Sequence, residues 1–368
     1  MSKAAELAKI GEVATNSQIG GRRNLMYNGN FQCWQRSTNT TGLGAAAGYF
    51  TADRWLVDIG DASAGRYTMT RTAGDPAGFN YGLVINCTTA DTSIAAGEAL
   101  ILQQRFEGQD LQQLKKGTAG AETTTISFYA KIVGTATDIV VEVADRDNAR
   151  HICKKFVLTT DWVRYYFTVP GDTTDALDQD NAVSMSVAFW LHGGATFTGG
   201  TLATAWAENN NANRAVGIDS IFASTDNEFY LAGVQWEVGS VATPFEHRSV
   251  GEELDLCQRY FFQGGRVHAV AFENGTTNIR LTYPVYKVMR ATPTITCDNT
   301  GVFYTTDLTD AAADNYSALT ALPKALTGSI GSVLHEISID FSSNPDSNDD
   351  SSPAFLNTNG TMTFDAEL

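Results

Sequence analysis

The chain has 368 residues, long enough for two or three domains, with a formal net charge of -16 and only 18% charged side chains. That excess of carboxylates excludes affinity for a polyphosphate backbone or an anionic membrane, which is built on Lys and Arg. Five cysteines, odd in number and without a CxxC pair, exclude a disulfide framework and predict free thiols in a chain that folds in a reducing cytoplasm.

Abundant Gly, Thr, Ser and Asn between short alternating runs predict an all-β protein. No run approaches the roughly 18 apolar residues of a membrane span, and no basic-then-apolar export signal opens the chain. Residues 4–14 (AAELAKIGEVA) have high helix propensity, with Leu7, Ile10 and Ala14 on one side. A helix below about 12–15 residues is marginal alone, so this one is expected to dock on sister copies or on a larger particle. SQIGGRR follows as a linker ending in paired arginines. Residues 1–23 are therefore assigned to attachment or oligomerisation, through Leu7, Ile10, Arg22 and Arg23.

From Asn24 onward the pattern is that of a β-sandwich, assigned to residues 24–248. Strand-like runs fall at 66–72, 81–87, 99–106, 123–132, 139–144, 151–158, 162–169, 182–192 and 229–236. In one, Ile126, Phe128 and Ala130 alternate with Ser127 and Tyr129; in another, Val163, Tyr165 and Phe167 alternate with Arg164, Tyr166 and Thr168. Period two in the last run predicts that Tyr230, Ala232, Val234 and Trp236 share one face. Residues 193–213, rich in Gly and Asn, read as an irregular loop.

Ser249 with Glu252 three residues on has the form of a capping box. It opens a connecting helix within 249–262, with an apolar stripe of Val250, Leu254, Cys257 and Phe261. A smaller C-terminal β domain occupies 263–368. There, runs at 266–273 and 276–283 flank Asn274-Gly275, which suits a type I′ hairpin turn. Later strands are expected at 330–341 and 361–364.

The closing run YLAGVQWEVGSVATPFEHR leading into ELDLCQRYF resembles a junction of bacteriophage tail fibres and related virion proteins. NLMYNGNFQCWQR (24–36) and TADRW (51–55) resemble the opening of the same module, a jelly roll similar to carbohydrate-binding modules. The resemblance implies a virion structural protein: a short homotrimeric tail fibre, assembled in the host cytoplasm, that contacts other virion proteins and a host-surface glycan. Two other readings stay open: a head-decorating or other appendage protein without a receptor, and a polysaccharide depolymerase or its binding module. Such jelly rolls often carry a structural calcium where the NGxF segment meets acidic groups of the last strand. Here Gln32 stands where an acid is common, and Leu231-Ala232-Gly233-Val234 lacks the expected aspartates, so no metal ligand is assigned.

No GxSxG, HExxH, Walker loop or zinc-spaced Cys/His group is present, and no catalytic residue is assigned. Asp145 with Asp147 and Asp172 with Asp175 are better explained as turn-forming acids than as glycosidase pairs. Sugar binding needs flat aromatic faces flanked by amides. Trp190, Trp206, Asn209, Asn210 and Asn211 are the candidates, because Trp206 sits in a polar loop, whereas Trp34, Trp55, Trp162 and Trp236 are assigned to core packing.

Overall fold

The computed structural model describes residues 3, 23–74, 76–264, 268–273, 278–284, 287–297, 303–305, 314–315, 334–340, 353–358 and 362–368. The expected N-terminal helix, with Leu7, Ile10 and Arg22, lies outside the described residues, as do Asn274 and Gly275. Two compact units divide the chain, one of residues 1–254 with Leu368 and one of residues 255–367.

The first unit is a jelly-roll-like sandwich of two six-stranded sheets. Its strands are β1 (Asn39–Leu43), β2 (Leu56–Ile59), β3 (Arg66–Ala73), β4 (Tyr81–Thr89), β5 (Ala99–Glu107) and β6 (Thr124–Val133). They continue with β7 (Asp138–Asp145), β8 (Arg150–Val157), β9 (Val163–Val169), β10 (Val183–Gly193), β11 (Ala207–Glu208) and β12 (Glu228–Val238). The first sheet runs β1-β3-β4-β12-β6-β9 and the second β11-β8-β7-β10-β5-β2, with every strand pairing antiparallel. All nine expected strands are present. The three that were not expected, β1, β2 and β11, are short.

Alternation decides which side chains meet between the sheets. Phe128 of the first sheet packs on Phe189 of the second at 5.1 Å between ring centroids, and Trp236 on Phe106 at 5.1 Å. Trp55 and Phe31 stack at 5.0 Å within the same buried layer. Cys33, Cys87, Cys153 and Cys257 are free and buried.

The expected shared face of β12 is wrong in one respect. The register of β12 against β6 shifts between Ala232 and Gln235, at Gly233, whose φ is +55°. The slip arises where β12 leaves β4 after Leu231 and runs on against the N-terminal segment, Val234 N–H donating to Gly29 O and Leu25 N–H to Trp236 O. Glycine accommodates the left-handed backbone, and a Cβ there would lie 2.4 Å from Phe79. In consequence Trp236 points into the sandwich, while Tyr230 points out of it, toward Trp162.

Helix α1 (Ala195–Thr198) lies in the expected loop, and helix α2 (Val250–Gln258) follows the sandwich. The capping box is formed: Ser249 N–H donates to Glu252 Oε2 at 2.9 Å, and Glu252 N–H to Ser249 Oγ at 3.2 Å. The expected stripe holds in part: Cys257 and Phe261 are buried and Leu254 half-buried, but Val250 is 56% exposed, Phe261 belongs to the next strand, and the buried residue of the first turns is Glu253.

In the second unit, β13 (Phe261–Gly264), β21 (Met362–Asp365) and β16 (Thr294–Cys297) form a three-stranded sheet in that order. A six-stranded sheet runs β18 (Asp314–Asn315), β17 (Phe303–Thr305), β20 (Pro353–Thr358), β14 (His268–Glu273), β15 (Asn278–Pro284) and β19 (Leu334–Asp340). The expected hairpin is β14 with β15, paired antiparallel from Ala271↔Leu281 to Glu273↔Ile279.

Candidate glycan-contact surface

Trp190 is not available to a sugar. It stands on the outer face of the second sheet, but residues 194–219 roof that part of the face and leave the ring 0% exposed. Phe197 packs on one side at 5.2 Å, and the Arg214 guanidinium lies 4.8 Å from the ring centroid. Beneath the roof the Glu142 carboxylate accepts from Arg214 Nε and Nη2, both at 2.8 Å, and from Trp190 Nε1 at 2.9 Å, with His151 Nδ1 3.0 Å away. Burial pushes the Glu142 carboxyl up, but the bond with His151 and the charge and bonds of Arg214 outweigh it and hold the group at about 2. Glu142, His151 and Cys153 bring ligand-type atoms within 4.8 Å of one another. The guanidinium already supplies the cation there, so the group does not fit a metal.

The other predicted residues do not form a single site. Trp206 is half-buried, donates Nε1–H to Pro170 O at 2.7 Å, and lines a cleft with Lys116, Glu122, Pro170 and Asp172. Asn209, Asn210 and Asn211 are exposed and line a separate open depression with Glu208 and Asn213. Asn210 caps a turn by accepting from Ala212 N–H at 3.1 Å. Asp145 and Asp172 likewise take turn amides, from Asp147 N–H at 3.0 Å and Thr174 N–H at 3.1 Å.

The structure instead assembles an aromatic surface on the outer face of the first sheet. Tyr230 of β12 sits opposite Lys131 of β6 on one side and Val84 of β4 on the other, with Thr70 of β3 beyond Val84. Trp162, just before β9, meets Tyr230 edge-on at 6.1 Å. The Lys131 ammonium lies 4.5 Å from the Tyr230 centroid and 5.5 Å from that of Trp162. Tyr230 donates its hydroxyl to Glu228 at 2.5 Å; burial first, then this bond and the carboxylate's charge, push the phenol up to about 12. All three platform side chains are half-buried, and Trp162 Nε1 has no acceptor. Toward the other end of the sheet Phe79, Tyr129, Phe245 and His247 pack together, with Phe79 buried, Tyr129 and Phe245 half-buried and His247 exposed.

Sequence reasoning missed this surface by assigning Trp162 to the core and Tyr230 to the face of Trp236. The signal that could have found it is the alternation of β6, which puts Tyr129 and Lys131 opposite Phe128 and Ala130, together with the Gly233 slip.

Arg23 is also placed differently from expectation. It is tied into the sandwich, its N–H donating to Glu246 Oε1 at 3.0 Å, Nη2 to Pro244 O at 2.6 Å, and Nε lying 3.5 Å from Glu237. Where the NGxF segment meets the end of the sandwich, Arg248 Nη1 donates to Met26 O at 3.0 Å and to Glu253 Oε1 at 3.2 Å, and Nη2 donates to Asn24 O. Glu253 in turn accepts from Asn28 N–H. These carbonyls and carboxylates are hard oxygen donors of the kind calcium takes. An arginine side chain only 9% exposed occupies them, so this junction does not fit the ion that the resemblance implies.

No protein-family model matches the sequence, and no curated protein matches it. Among solved structures, the enzymatically active domain of bacteriophage CBA120 tailspike protein 4 is similar at 12% identity and a TM-score of 0.28, over 59% of this chain but only 21% of that one. A family 11 carbohydrate-binding module of a Clostridium thermocellum cellulase matches at 12% identity and a TM-score of 0.28, over 56% of this chain and 98% of that one. A xylan-binding domain from Paenibacillus barcinonensis matches at 14% identity and a TM-score of 0.28, over 60% and 96%. Likenesses this distant say nothing of ligand or partner.

Proposed function

We propose that this chain is a glycan-binding structural component of a bacteriophage virion, a short homotrimeric tail fibre that helps the particle attach to its host and does no catalysis itself. The observation that carries the glycan reading is the open end of the first sheet. Trp162, just before β9, and Tyr230 of β12 present half-exposed rings there beside Lys131 of β6. Flat rings cover the C–H face of a pyranose while flanking polar groups take its hydroxyls. The virion reading is supported by the resemblance of residues 24–36, 51–55 and 229–262 to phage virion modules.

Binding of the full chain to a glycan array, compared with Trp162→Ala and Tyr230→Ala, tests the first part. Signals lost in both variants support the surface; signals unchanged in both place the glycan elsewhere. Immunogold labelling of intact particles tests the second part, and label on heads rather than tails overturns the fibre assignment. Light scattering tests the trimer, which a monomer mass well above micromolar concentration excludes.

A further inference from the structure

The open surface carries an unpaired charge, and that charge narrows the ligand. Lys131 makes no ion pair among the described residues, and its ammonium lies over the Tyr230 and Trp162 rings. The carboxylate on the adjoining row, Glu228, is engaged by the Tyr230 hydroxyl. Within the same patch the Trp162 indole N–H is buried without an acceptor. The Lys131 ammonium is thus left without a carboxylate partner beside two rings and the short side chains of Val84 and Thr70.

We infer that the glycan held here is acidic: a pyranose whose ring lies on Tyr230 and Trp162 and whose carboxylate is taken by Lys131. A neutral sugar settling on the rings removes water from the ammonium and returns no countercharge, which is costly. A carboxylate converts that cost into a charge-assisted hydrogen bond. As Lys131 turns from the rings to the carboxylate, it also clears the aromatic faces it covers, so ring stacking and charge pairing are made together. This inference rests on the glycan-binding reading above and adds the chemical class.

The test is calorimetric titration of the full-length protein with oligogalacturonate and with its methyl ester at equal length, since esterification removes the charge and keeps the ring. The expected result is binding of the acid about tenfold or more tighter than the ester. That preference should be lost in Lys131→Gln, kept in Lys131→Arg and weakened by added salt. Trp162→Ala should lose both ligands. Equal affinity for acid and ester, unchanged by Lys131→Gln, overturns the acidic class and leaves glycan binding standing. Failure of both ligands, with a neutral array glycan bound in a Trp162-dependent way, overturns the acidic class in the same manner. Failure of every glycan overturns the inference and the reading it rests on.

Discussion

The outer faces of the two sheets treat the same kinds of residue in opposite ways. On the second sheet, Trp190 and a charged pair are roofed by residues 194–219, and the Glu142 carboxylate has found four polar neighbours. On the first sheet, Trp162, Tyr230 and Lys131 meet half-buried, with the ammonium lacking a carboxylate partner and the buried indole N–H lacking an acceptor. An aromatic next to a charge is therefore not by itself a binding site. Where the charge is fully paired and the ring covered, the arrangement is a small second core; where both remain unmatched, something external can complete it.

The largest effect is expected from emptying the roofed side. Glu142→Ala leaves the Arg214 guanidinium buried without its carboxylate, and chemical denaturation should record a loss of about 3–5 kcal/mol. A loss below about 1 kcal/mol would mean that the roof is loosely held, and Trp190 would return as a ligand candidate.

Acid should reveal the same pair. Because the folded-state value of Glu142 is depressed from 4.5 to about 2, its contribution is complete above pH 4.5 and disappears as pH falls toward 2. Roughly 3 kcal/mol should be lost across that window in the parent and not in Glu142→Ala. Parallel acid-unfolding curves for the two proteins would count against the assignment.

Gly233→Ala probes what sets the open side. The new Cβ meets Phe79 in a left-handed backbone, and a loss of about 1–3 kcal/mol is expected, with weakened glycan binding as Tyr230 shifts. Unchanged stability and binding would show that the slip is not what places Tyr230.

The smallest stability change belongs to Trp162→Ala, at about 1 kcal/mol or less, because its ring is half-exposed and its N–H bonds nothing. Binding should be lost even so. A loss above about 3 kcal/mol would make Trp162 a core residue, as its sequence position suggested.

Much of the sandwich could be read from residues alone because apolar and polar side chains alternate in runs such as Ile126 to Ala130 and Val163 to Thr168. What could not be read was short or depended on distant chain. β1 and β11 have no apolar alternation to announce them, and their pairing partners, β3 and β8, lie tens of residues away. The faces of β12 were misassigned because period counting cannot pass a slipped residue such as Gly233. The candidate site failed for a related reason: 193–213 looked like an exposed loop, and nothing in its composition says that Arg214 just beyond it reaches Glu142 and closes over Trp190. Trp162 was misplaced because a tryptophan beside a strand is most often core.

The Arg248 contacts bring the first and last residues of the sandwich to one corner. Asn24 and Met26 share a guanidinium with Glu253, and Leu25 pairs with Trp236. A unit whose entry and exit adjoin is topologically a side branch of the polypeptide: cutting it out and rejoining the ends need span only a short gap. Such a branch can be replaced by another of the same kind, with a different open face, while the segments before and after keep their sequence. Such an exchange would need only two junctions, one near Arg23 and one near Glu253.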